Sequence, residues 1–130
     1  KLSNELDLKN ISFLSLLPYD QLPILLGSAD CHLVIQKKGA ADAFLPSKLT
    51  NILAVGGNSV ITAVPDTTLG ILCKEYPGIA VLVEPESVEA LVAGIEQALL
   101  MDAPNKVAKN YARQNLDKDM ILNRFVKHFK

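Results

Sequence analysis

The stretch "CHLVIQKKGAADAFLPSKLTNILAVGGNSVITAV", residues 31 to 64, decides the fold. It holds two short apolar runs, CHLVIQ (31 to 36) and NSVITAV (58 to 64), with a stretch of helical period between them. Neither run alternates polar with apolar residues, so each reads as a strand covered on both faces, as in a parallel sheet. Parallel neighbours need a crossover, and the segment from Pro46 to Gly56-Gly57 supplies it as a helix opened by proline and closed by glycine.

The same grammar continues outward. IAVLV (79 to 83) predicts a further strand and ISFLSLL (11 to 17) another, with helices between, so the fold class is α/β: a Rossmann-like parallel sheet flanked by helices. Pro18 and Asp20 open the first helix, whose inner stripe is Leu22, Leu25, Leu26 and Ala29, and Gly27 lies near its close. Asp66 or Thr67 caps a second, carrying Leu69, Leu72 and Cys73 and stopped by Pro77-Gly78. Ser87 caps a third, in which Val88, Leu91, Val92, Ile95 and Leu99 recur at helical spacing. Beyond Asp102 two terminal helices are expected within 103–130, with Pro104 in the first turn of one and Asp117 capping the other. The last carries an apolar stripe of Ile121, Leu122, Phe125, Val126 and Phe129 with Lys127, His128 and Lys130 off it. A basic amphipathic end fits an anionic membrane surface, but docking onto its own domain or a neighbouring one explains the same pattern more cheaply.

Bulk composition narrows the function. At 130 residues the chain reads as one domain, 1–130, and its opening "KLSNELDLKN" looks like the tail of a helix, as in a fragment of a longer protein. Hydrophobic residues make up 49% against 5% aromatic, so an aliphatic interior is expected. Thirteen Lys and Arg against 14 Asp and Glu leave a formal charge of −1, which lacks the basic excess of a nucleic-acid binder. Cys31 and Cys73 lie far apart in apolar segments and read as buried free thiols of a reducing, cytoplasmic compartment. His32 and His128 have no ligand-spaced Cys, Asp or Glu, and neither is assigned a role. No P-loop, dinucleotide fingerprint or nucleophile elbow is present.

The chemistry therefore concentrates in the connection KKGAADAFLPS (37 to 47), which is long for an α/β unit. It leaves the carboxyl end of a parallel strand, where open α/β sheets bind ligands, and enters a helix N-terminus whose free N–H groups suit a phosphate. Ser47 and Lys48 stand at that entrance. Lys48 reads either as a phosphate contact or as a solvated residue of the first turn.

These residues resemble a known family. LPSKLTNILAVGGNSVITA is similar to the donor-binding segment of the retaining glycosyltransferases of family 4, which have the GT-B fold, and in particular to the exopolysaccharide branch related to colanic-acid glycosyltransferases. NISFLSLLPYDQLPILLGSADCHLVIQ and GIAVLVEPESVEALVAGIEQAL resemble the elements flanking that segment, so the likeness spans nearly the whole chain. It implies the C-terminal, donor-binding half of a GT-B enzyme, with a nucleoside-diphosphate sugar as substrate, no cofactor or metal, and an acceptor domain that lies upstream. It implies donor contacts from Asp42, Phe44, Leu45, Pro46, Ser47, Lys48 and Asn51. Asn51 occupies the place of the second glutamate of the family's Glu-x7-Glu pair, and Ala43, beside Asp42, that of the first. No nucleophile or base is expected from this chain, which by itself is expected to be inactive, and the alternative reading is a non-catalytic α/β regulatory or interaction module. By the family's strand order, 11–17 lacks its neighbours. It is expected either beside 31–36 or against another chain, giving a homodimer or an aggregating species.

Overall fold

The computed structural model describes residues 2–39 and 45–121. Three parallel strands, β1 (His32–Ile35), β2 (Ser59–Thr62) and β3 (Val81–Val83), lie side by side in chain order. His32 is level with Ser59, and Ile61 with Leu82. Around them run α1 (Leu2–Glu5), α2 (Leu22–Gly27) behind a 3-10 turn at Tyr19–Gln21, α3 (Ser47–Val55), α4 (Thr68–Glu75), α5 (Val88–Leu99) and α6 (Lys106–Asn115). The chain is thus the expected Rossmann-like α/β arrangement.

The helices form a layer on each face. Val34 and Ile61 look into a cluster with Leu49, Ile52 and Leu53 of α3, Leu69 and Leu72 of α4 and Ala108 and Ala112 of α6. On the opposite face Val60 and Val81 meet Ala98 of α5. Each fully buried Leu or Ile removed from water contributes about 1.5–3 kcal/mol, so the α3 side carries most of the apolar stabilisation. Alternate residues of β2 feed the two clusters, which is why all four are buried and the run reads as continuously apolar.

Side chains set the helix ends. Thr67 caps α4 by accepting from Gly70 N–H at 3.2 Å, and Ser87 caps α5 by accepting from Ala90 N–H at 3.1 Å. Gly56 ends α3 in the left-handed region, φ 74°, which costs glycine nothing and lets Gly57 N–H reach Ile52 C=O at 2.9 Å. Asp117 opens a helical turn, accepting from Met120 N–H at 3.0 Å. The apolar stripe expected of that last helix falls, apart from Ile121, outside the described residues.

Four expectations are corrected. Residues 11–17 form no strand, because a strand needs a neighbouring edge, and residues 9–17 make no backbone hydrogen bond among the described residues. The inner stripe of α2 is narrower than predicted: Leu22 and Leu26 are half-buried, whereas Leu25 and Ala29 are exposed. On α5, Gly94 and Ala98 face the sheet, with Leu91 and Ile95 half-buried and Val88, Val92 and Leu99 exposed. Gly94 causes this: a Cβ there would lie 3.0 Å from Val60 Cγ1 and against Val83, so its absence lets the helix approach along its small-residue side. Finally, Pro104 precedes α6 rather than opening it. The cap is Asn105, whose Oδ1 accepts from Ala108 N–H at 3.0 Å.

Candidate functional site

At the carboxyl ends of β2 and β3 lies a cleft of about 280 Å³, lined by Val64, Pro65, Leu82, Glu84, Pro85 and, from the loop after β1, Lys38. Its floor is apolar because these residues continue strands that are buried on both faces. Its charged groups come from the first loop positions, where the backbone leaves the sheet. Neither Lys38 nor Glu84 has an ion-pair partner among the described residues.

One contact ties the Lys38 loop to the sheet. Gln36 N–H donates to Thr62 Oγ1 at 2.7 Å, and the Thr62 hydroxyl donates to Gln36 C=O at 2.9 Å. The side chain thereby continues the β1–β2 ladder one residue beyond β1 and fixes the direction in which residues 37–39 depart. Thr62 itself is buried.

The N-terminus of α3 stands at this same end of the sheet. Its first residue follows Pro46, which has no side-chain oxygen, and no side-chain cap bond is made. Thr50 N–H reaches Pro46 C=O at 3.1 Å, so the first-turn amides of Ser47, Lys48 and Leu49 carry the positive end of the helix dipole without a capping partner among the described residues. The starts of α4, α5 and α6, by contrast, are each closed by Thr67, Ser87 or Asn105.

The residues assigned from the sequence fall in three places. Asp42 and Phe44, with Ala43 beside them, lie outside the described residues. Ser47 and Lys48 are exposed at the start of α3, and Asn51, one turn on, is half-buried with no hydrogen bond to its side chain among the described residues. Lys48 turns sideways, its Nζ donating to Leu33 C=O of β1 at 2.7 Å. Leu45 and Pro46 are half-buried; Leu45 packs against the core and lines a second hollow with Tyr76 and Tyr111, whose rings meet edge-on at 4.7 Å. Lys38 and Glu84 were not singled out from the sequence. Lys38 is half of an ordinary-looking lysine pair, and its only signal was its position directly after a strand.

The remaining reactive groups are structural. His32 is buried, with Nε2 3.0 Å from Leu26 C=O. Both cysteines are free and half-buried rather than fully buried, and burial still raises their pKa, that of Cys73 to about 11. No group of three or more His, Cys, Asp or Glu among the described residues is placed to hold a metal ion. No described helix is long and apolar enough to cross a membrane.

The fold and the cleft are compatible with more than one kind of α/β protein, and the comparison with known proteins identifies the family. The family description "Glycosyl transferases group 1" matches residues 1–115. The chain belongs to this family. It is also 62% identical over 126 residues to "Putative colanic acid biosynthesis glycosyl transferase WcaI" of Escherichia coli (strain K12). That alignment covers 97% of this chain and 31% of the relative, so the chain spans about a third of the relative's length. No solved structure matches the chain. The resemblance to the colanic-acid branch of the family 4 glycosyltransferases, seen in LPSKLTNILAVGGNSVITA, is therefore correct.

Proposed function

We propose that this chain is the donor-binding part of a glycosyltransferase that moves a sugar from a nucleoside diphosphate to a polysaccharide or lipid-linked acceptor. The observation that carries this reading is the 62% identity to a colanic acid glycosyl transferase over 97% of the chain. The geometry supports it: the uncapped start of α3 and the Lys38–Glu84 cleft both lie at the carboxyl end of the sheet.

In this reading the diphosphate lies against the first-turn amides of α3, from Ser47 onward. These are preorganised donors that gain strength as negative charge develops on the leaving diphosphate. Lys38 supplies a cation at the cleft. Lys48 supplies one only when it leaves Leu33. Glu84 offers a carboxylate to sugar hydroxyls, a role that Ala43 cannot fill, while Asn51 keeps hydrogen-bonding capacity without charge. The C1–O bond to the diphosphate breaks as the acceptor oxygen bonds to C1 with retention, the acceptor proton leaving to a group outside this chain. The remaining polypeptide supplies the acceptor site, and the reaction uses the nucleotide sugar as substrate with no cofactor. Its place is the cytoplasm, at the inner face of the membrane where a lipid-linked acceptor is presented.

A thermal-shift titration of the chain with UDP, GDP and ADP tests the reading. At about a hundred times the dissociation constant, a nucleotide that binds only the folded chain stabilises it by roughly 2.7 kcal/mol. A response to one nucleotide is expected, and no response to any at millimolar concentration contradicts it.

A further inference from the structure

Where the β2–β3 ladder ends, Ala63 N–H donates to Val83 C=O at 3.2 Å. Beyond that bond the two chains lead to opposite layers. Val64 and Pro65 turn toward α4, whose Leu69 and Leu72 pack with α3 and α6, while Glu84 and Pro85 turn toward α5, whose Ala98 packs on the other face. The cleft of about 280 Å³ opens where they part, as at a switch point of an open α/β sheet. Its shape therefore depends on what holds each departing chain.

The bank leading to α4 is held by two residues that do not line the cleft. Thr67 donates its hydroxyl to Val64 C=O at 2.6 Å and its N–H to the same oxygen at 3.1 Å, while its Oγ1 accepts from Gly70 N–H at 3.2 Å. The Val64 carbonyl is thus engaged outside the cleft, and Pro65 has no N–H to offer. Gly70 is buried in the first turn of α4, where glycine costs helix stability relative to alanine. The space it leaves is filled: a Cβ there would lie against Val64 C=O and 2.5 Å from Pro65 C=O. The hydroxyl draws the loop toward α4 and the missing side chain makes room for it. We propose, on the donor-binding reading above, that Thr67 and Gly70 are positioning residues for the sugar end of the donor. They act through Val64 and Pro65, and so set the width of the cleft in which Lys38 and Glu84 meet the sugar.

The affinity of the chain for a nucleotide sugar relative to its nucleoside diphosphate tests this, measured by calorimetry with UDP-glucose and UDP, GDP-mannose and GDP, and ADP-glucose and ADP. For the pair that binds, Gly70→Ala and Thr67→Ala are each expected to weaken the sugar form several-fold and leave the diphosphate unchanged. Thr67→Ser keeps the hydroxyl and is expected to keep the ratio of the two affinities. Asn105→Ala removes the cap of α6 and bonds to no residue lining the cleft, so it is expected to lower the melting temperature with the ratio unchanged. Thr67→Ala removes only one hydroxyl and is expected to fold, so it decides the matter where Gly70→Ala does not fold. An unchanged ratio in Thr67→Ala, an equal fall in Asn105→Ala, or a parent chain that binds a diphosphate but not its sugar form overturns the positioning role. A parent chain that binds no nucleotide at all overturns the donor reading itself.

Discussion

Asn105 shows how much one buried amide can hold. Besides capping α6, its Nδ2 donates to Gly78 C=O at 2.9 Å, and its own N–H donates to Gly56 C=O at 2.7 Å. The end of α3, the turn before β3 and the start of α6 are thereby fixed by one residue, the first through its backbone and the other two through its side chain. Asn105→Ala is expected to cost about 2–3 kcal/mol in urea denaturation, from a lost cap plus an orphaned carbonyl. Gly57 is a second such point, since a Cβ there would sit 2.7 Å from the His32 ring. Gly57→Ala is expected to destabilise by about 1–3 kcal/mol, because the ring must move off Leu26 C=O. The Cys73 pKa, raised by burial from 9.0 to about 11, has a sign that follows from linkage. Its stabilising contribution is complete below about pH 9 and is lost as pH rises from there to about 11, since the unfolded thiol ionises first. Cys73→Val is expected to flatten that alkaline fall in melting temperature. Asn105 and Lys38 were not legible in the sequence, for a physical reason. A cap or a cleft cation is defined by what folding brings against it from residues far along the chain, whereas Ser87 and Thr67 announce themselves by sitting directly before an apolar period.

At the level of elements, local pattern carried the strands and helices but not their partners. CHLVIQ, NSVITAV and IAVLV contain β1, β2 and β3 in the expected parallel order. ISFLSLL has the same apolar character and is no strand, because pattern encodes the capacity to be covered and not the presence of a neighbour. On α5 the period marked the correct helix but misplaced its inner side, since Gly94 and Ala98 gain more by close approach than the larger residues do by facing inward. Two elements position the candidate site, and each makes a prediction. Thr62→Val keeps the shape and removes both bonds to Gln36. It is expected to cost about 1–3 kcal/mol and to speed exchange of the Gln36 amide, with residues 37–39 losing their fixed exit. Ser47→Pro suits the first helical position but deletes one amide, so in the complete enzyme it is expected to weaken nucleotide binding several-fold with helix content unchanged. Equal affinity would remove the start of α3 from the donor site.

For the molecule as a whole, near-neutral charge, aliphatic composition and βαβ order made the α/β class legible, and the family came from the Pro-Ser-Lys helix entrance and its flanking elements. The cleft itself was not legible, because its walls are the ends of β2 and β3 and its charges stand on two separate loops. The carboxyl end of the sheet is the donor side in the proposed reading. Titrating the 15N-labelled chain with a nucleoside diphosphate while following its amide resonances tests that side against every other surface. The shifts are expected to gather at Lys38, Ala63, Glu84 and the Ser47–Leu49 turn. Shifts centred on α5 or on the opposite end of the strands, or none at millimolar nucleotide, would contradict a donor site there.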